Sequence, residues 1–209
     1  MDVIWVRMFK GDRIMVCQRH CLILASKSPR RSDLLTKMGF SFTVHAPDVD
    51  ENISGAPSDM VKLLSIRKAK AVSDLYDEGY IVAADTLVAL DDLALGKPCD
   101  EEDAFRMLSS LSGRNHQVYT GICLMDAKTK AYAAKTVRSD VYFRNLTSEE
   151  IRSYIETKEP MDKAGAYAIQ GGAAKFIEQY EGSYDNIVVF PTEEFRRMYD
   201  QFASLSTEE

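Results

Sequence analysis

The chain has 209 residues, 45% of them hydrophobic, and a formal net charge of −6. This length and composition support a sizeable core in one domain or two closely joined lobes. The acidic balance disfavours a nucleic-acid groove as the main surface, and no run approaches the ~18–20 apolar residues of a membrane span.

Residues 1–20 mix Arg7, Lys10, Asp12, Arg13 and Arg19 with short apolar pieces and lack the apolar core and cleavage pattern of a secretory leader. They read as an N-terminal extension to a single domain over 21–205, with an extra strand around Val3 to Phe9. Cys17, Cys21, Cys99 and Cys123 are few and scattered, which fits a reducing compartment, the cytoplasm, better than a disulfide framework. Cys17, His20 and Cys21 lack the second ligand pair that a zinc site needs.

Leu22 to Met38 reads as strand, tight turn and helix. Leu22–Ala25 is an unbroken apolar run suited to a strand buried on both faces. Ser28 is placed to cap a helix, Pro29 fits its first position, and Leu34, Leu35 and Met38 continue an apolar face up to Gly39. The free N–H groups of a first helical turn attract anions, and Arg30 and Arg31 can add paired hydrogen bonds to phosphate oxygens. The competing reading makes them ordinary solvated arginines, although cations there oppose the helix dipole.

Phe40–Val44 alternates as a short strand and leads into Asp48, Asp50 and Glu51. That loop is either a solvated acidic turn or a source of oxygen ligands for a divalent cation near the anion site. Ser58 then caps a helix whose apolar positions include Val61, Leu64, Ala69, Val72 and Leu75, with Lys62, Arg67, Lys68 and Lys70 basic and mostly solvated.

The next buried strand opens at Tyr80 and reaches Asp85 inside an apolar run. An isolated buried carboxylate costs many kcal/mol, so Asp85 needs compensation. It is either a hydrogen-bonded structural group or a metal ligand or catalytic base. Ligands of open α/β sheets gather beyond the carboxyl ends of strands, which places Ser26 and Asp85 at one crevice. Gly96-Lys97-Pro98 is not a P-loop, but it holds Lys97 in a rigid position.

Asp100–Asp103 starts a helix with acidic residues at the favourable end. Val118–Met125 and Tyr132–Phe143 then read as antiparallel strands, and Thr147 with Glu150 forms a capping box for a helix that Pro160 closes. The small-residue stretch after Asp162 holds Lys163, Tyr167 and Gln170. Ala173–Gln179 reads as a strand, Asn186–Phe190 as a buried apolar segment, and Thr192 caps a final helix. The fold class is α/β with a mixed, curved sheet flanked by helices.

Ala25-Ser-Lys-Ser-Pro-Arg-Arg, Asp48-Val-Asp-Glu, Ala84-Asp-Thr, Gly96-Lys-Pro, Leu111-Ser-Gly-Arg, Val118-Tyr-Thr-Gly and Asp162-Lys-Ala-Gly-Ala-Tyr-Ala-Ile-Gln-Gly stand in the order seen in the Maf family. The chain resembles that family over about Leu22 to Pro191. The resemblance implies two lobes around a deep cleft, as in inosine triphosphate pyrophosphatases, and metal-dependent cleavage of a nucleoside triphosphate to monophosphate and pyrophosphate.

It further implies Asp85 as general base and metal ligand, Glu51 as metal ligand, and Mg²⁺ or Mn²⁺ as the cation. Ser26, Ser28, Arg31, Lys70, Lys97 and Lys163 become phosphate or substrate contacts. Arg30, Thr86 and Gln170 match the residues associated with choice of dTTP and UTP, whereas the sister branch that prefers 7-methyl-GTP carries an aromatic residue in place of Arg30. Ala168 departs from the more usual glycine, and the extension is absent from short members. The expected partner is a small nucleoside triphosphate, with no nucleic acid or membrane and with a homodimer common in the family. A nucleotide-sensing regulator of cell division, or a pyrophosphatase acting on 7-methyl-GTP or CTP, are the rival readings.

Overall fold

The computed structural model describes residues 21–205 together with two short strands, β1 (Ile4–Trp5) and β2 (Val16–Cys17), which pair antiparallel. β1 falls in the stretch expected to add a strand, and the remainder of that stretch lies outside the described residues. The main body begins with β3 (Leu22–Ala25), α1 (Pro29–Lys37), β4 (Phe42–Val44), α2 (Pro57–Ser73) and β5 (Tyr80–Leu90). It continues through β6 (Leu93–Leu95), α3 (Glu101–Leu111), β7 (Asn115–Asp126), β8 (Tyr132–Phe143) and α4 (Ser148–Glu156). It closes with β9 (Ile177–Glu181), the short α5 (Tyr184–Val188) and α6 (Thr192–Leu205).

Seven strands form one mixed sheet in the order β4-β3-β5-β7-β8-β9, with β6 also paired to β5. β3 runs parallel to β4 and β5, and the other pairings are antiparallel. Asp91 and Asp92, both at positive φ, make the two-residue turn from β5 to β6, a geometry that aspartate tolerates.

Side chains alternate across the sheet, so each strand feeds two cores. On one face Leu22, Leu24, Tyr80, Val82, Ala84, Val88, Val118 and Ile122 pack with residues of α1, α3, α4 and α6. On the other, Ile23, Ala25, Ile81 and Ala83 meet Ala69 and Val72 of α2. Gly121 lets α2 lie close, because a Cβ there would stand 2.1 Å from the Val61 carbonyl oxygen. Asp100 caps α3, and Thr147 and Glu150 cap α4 reciprocally at 3.2 and 2.9 Å.

Several expectations are corrected. Ser28 stands at the N-cap position of α1 as expected, but its side chain makes no capping bond; its N–H donates to Ser26 Oγ at 3.2 Å. Pro57 takes the first position of α2 with Ala56 before it, so Ser58 lies inside the helix. Residues 172–176 form a 3₁₀ turn, which small residues accommodate easily, and the strand starts only at Ile177. Asn186–Phe190 is buried as expected, and its first three residues belong to the short helix α5, capped by Ser183. Asp85 is not at a strand end but in the middle of β5.

Candidate active site

The mid-strand position of Asp85 still opens onto solvent because β3 is short. Ala25, the last residue of β3, pairs with Ala83, while β5 runs on against β7 with Asp85 opposite Gly121 and Thr86 opposite Thr120. Beyond Ala25 the sheet has a notch, through which side chains from both faces of β5 reach one cleft. Asp85 projects toward α2, and Thr86 toward the opposite face, where α1 lies.

The cleft has a volume of about 720 Å³, within the usual range for small-molecule sites. Its walls include Ser26, Ser28, Arg30 and Arg31 from the β3–α1 junction, Glu51 from the acidic loop, Lys68 from α2, Asp85 and Thr86 from β5, and Lys97 and Lys163 from two loops. The Gly165 N–H bonds the Gly96 carbonyl at 2.9 Å, which ties those loops together. Nine of the residues expected from sequence thus meet around one space: Ser26, Ser28, Arg30, Arg31, Glu51, Asp85, Thr86, Lys97 and Lys163.

Arg31 is buried, and its guanidinium is aimed by three acceptors. Nε donates to the Val189 carbonyl at 3.2 Å, and the two terminal nitrogens donate to Ser26 Oγ at 3.0 Å and Thr86 Oγ1 at 3.2 Å. Of five N–H groups, two stay available for an anion. Burial pulls Arg31 down to about 10, opposed by Asp85, so it remains cationic near neutral pH. Arg30 is lowered too, by burial, with Asp162 pulling the other way. The Ser28 hydroxyl is buried in the wall without a partner among the described residues.

Opposite this wall the Lys68 ammonium lies 2.6 Å from Asp85 Oδ1 and 2.8 Å from Glu51 Oε1. It supplies the compensation that Asp85, partly shielded within an apolar strand, demands. Burial raises the Glu51 carboxyl, but the hydrogen bond and charge of Lys68, with Lys97 and Arg31 behind, bring it below its ordinary value. Two carboxylates converging on one cation, with hydroxyls nearby, are a hard oxygen donor set. No group of three or more His, Cys, Asp or Glu side chains converges on a metal position among the described residues. Any divalent ion here would draw its other ligands from substrate phosphates and water, as Mg²⁺ commonly does.

Two expected residues are not in this cleft. Lys70 is exposed on the outer face of α2, and Gln170 is exposed where the chain turns after buried Ile169. Lys68 rather than Lys70 faces the cleft because it shares the inward helical stripe of Val61, Leu64, Ser65 and Val72, from which Lys70 is rotated away. Thr86 is not free to face a ligand alone, since its hydroxyl also meets Thr120 Oγ1 at 2.9 Å and the Val189 carbonyl at 3.3 Å.

The fold and cleft define an α/β protein with a polyanion-attracting wall set against a carboxylate pair. The chain belongs to the Maf-like protein family, whose pattern matches residues 21–202. A dTTP/UTP pyrophosphatase of Pelotomaculum thermopropionicum is 44% identical over 183 residues, 87% of this chain and 96% of the relative. One of Carboxydothermus hydrogenoformans is 48% identical, covering 81% of this chain and 92% of its own. One of Bdellovibrio bacteriovorus is 43% identical, covering 87% and 98%. No helix among the described residues is long and apolar enough to cross a membrane.

Proposed function

We propose that this chain is a nucleoside triphosphate pyrophosphatase that hydrolyses dTTP and UTP to the monophosphate and pyrophosphate. The observation that carries the reading is the Asp85–Lys68–Glu51 cluster facing Arg31 across one cleft. The names of the relatives supply the nucleotide. The catalytic unit is residues 21–205, with residues 1–20 as an extension. The free cysteines Cys99 and Cys123 accord with a cytoplasmic setting.

In the proposed mechanism Arg31, Lys97 and Lys163, with the Ser26 and Ser28 region at the start of α1, hold the triphosphate. Arg30, partly buried at the rim, contacts the substrate beside them. Asp85 orients a water at the α-phosphorus and accepts its proton, and pyrophosphate leaves. Lys68, 2.6 Å from Asp85 Oδ1, holds that carboxylate in place. Thr86 acts on specificity through Arg31, which it helps to fix. A divalent ion, Mg²⁺ or Mn²⁺, would be held by Glu51 and Asp85 and would neutralise charge gathering on the phosphate oxygens.

Pyrophosphate release from a panel of dTTP, UTP, CTP, ATP, GTP and 7-methyl-GTP tests the reading. Turnover should be fastest with dTTP and UTP and should vanish when a chelator removes the divalent ion. Nucleotide binding without turnover, or preference for 7-methyl-GTP or CTP, would refute it.

A further inference from the structure

Beyond the charged walls the cleft ends in an apolar region that includes Val88, Val118, Tyr167, Ala168 and Ile187. Val88 lies three residues from Asp85 along β5, about 10 Å at the rise of a strand. That separation suits a ligand whose phosphates lie at Asp85 and whose base and sugar lie further along. Gly165, at φ +67°, brings the segment bearing Tyr167 directly onto Val88, because a Cβ there would meet the Val88 side chain at 2.9 Å.

Tyr167 lines the cleft, but its hydroxyl is turned away from it. The hydroxyl lies 2.8 Å from Nε2 of His116, a residue that is fully buried and does not line the cleft. His116 shares its face of β7 with Val118, and its ring stacks edge-on against Tyr167 and Phe143 with centroids 5.3 and 4.9 Å away. Its Nδ1 has no partner among the described residues, so Tyr167 is the polar anchor of this imidazole. Burial pushes His116 down to about 4 and the Tyr167 hydroxyl upward, so the bond joins two neutral groups.

The geometry points to His116 as a positioning residue for nucleotide recognition: it holds the Tyr167 ring as the apolar wall against which the base and sugar rest. The inference deepens the proposed function and rests on it. A merely structural His116 would loosen the whole cleft when altered, whereas a positioning role touches only the end that receives the nucleoside.

The test compares two probes on the full chain: KM for UTP, and inhibition by inorganic tripolyphosphate, which carries no base or sugar. His116→Ala should raise KM for UTP by about tenfold, the scale of one lost buried hydrogen bond, and leave tripolyphosphate inhibition within about twofold. Tyr167→Phe, which removes the same bond but keeps the ring, should give a smaller change of the same kind. His116→Gln can restore a polar partner near the position of Nε2 and should recover most of the affinity. If His116→Ala does not fold, the Gln and Phe variants carry the comparison.

A parallel weakening of both probes, or an unchanged KM in active variants, overturns the positioning role alone. A wild-type chain that turns over no triphosphate overturns the proposed function and this inference with it.

Discussion

Asp85→Asn is expected to lower kcat for dTTP and UTP by about 10²–10⁴-fold, the usual contribution of a general base. Asn keeps the shape of the side chain and can still meet Lys68, which remains paired with Glu51 at 2.8 Å, so the cleft should keep its form. What disappears is the basic oxygen and one of the two carboxylates placed to hold a divalent ion. The assay therefore follows pyrophosphate release across a metal titration, and kcat is compared at saturation. Near-normal kcat at any metal concentration would remove Asp85 from its assigned role.

Arg31→Ala is expected to have the second largest effect, on binding. The guanidinium retains two unengaged N–H groups, and hydrogen bonds to charged partners are worth roughly 1.5–3 kcal/mol each. Affinity for a non-hydrolysable α,β-imido analogue of dTTP should fall by about 10²-fold or more, measured by calorimetry. Stability should also fall, by about 1–3 kcal/mol, because Ser26 Oγ and the Val189 carbonyl lose a buried donor. Arg31→Lys should recover little, since an ammonium cannot span the three acceptors as the planar fork does. Unchanged analogue affinity in Arg31→Ala would show that the phosphates lie elsewhere.

Local chemistry made the β3–α1 junction legible. The apolar run at Leu22–Ala25, Pro29 at the helix start and Gly39 beyond its end are short-range signals. Asp85 stood out for a similar reason, as an ionisable group within an apolar strand. Its placement was less accessible, because the length of β5 is set by pairing with β7, far away in sequence.

The lysine choice on α2 was recoverable in part. Val61, Leu64 and Val72 fix a helical phase, and that phase turns Lys68 inward and Lys70 outward. Nothing local tells which of several basic residues will find carboxylates, since Glu51 and Asp85 arrive from a loop and a different strand. Gln170 illustrates the same limit: its neighbours Tyr167 and Ile169 are buried, and the chain turns it outward just beyond them. The tie between His116 and Tyr167 joins residues 51 positions apart, and no periodicity announces it.

The central claim is that water held by Asp85 attacks the α-phosphorus. Hydrolysis of dTTP by the wild-type chain in ¹⁸O-labelled water, with both products read by mass spectrometry, tests it most directly. One ¹⁸O atom is expected in the monophosphate and none in pyrophosphate. Label in pyrophosphate, or release of orthophosphate as the first product, would contradict it.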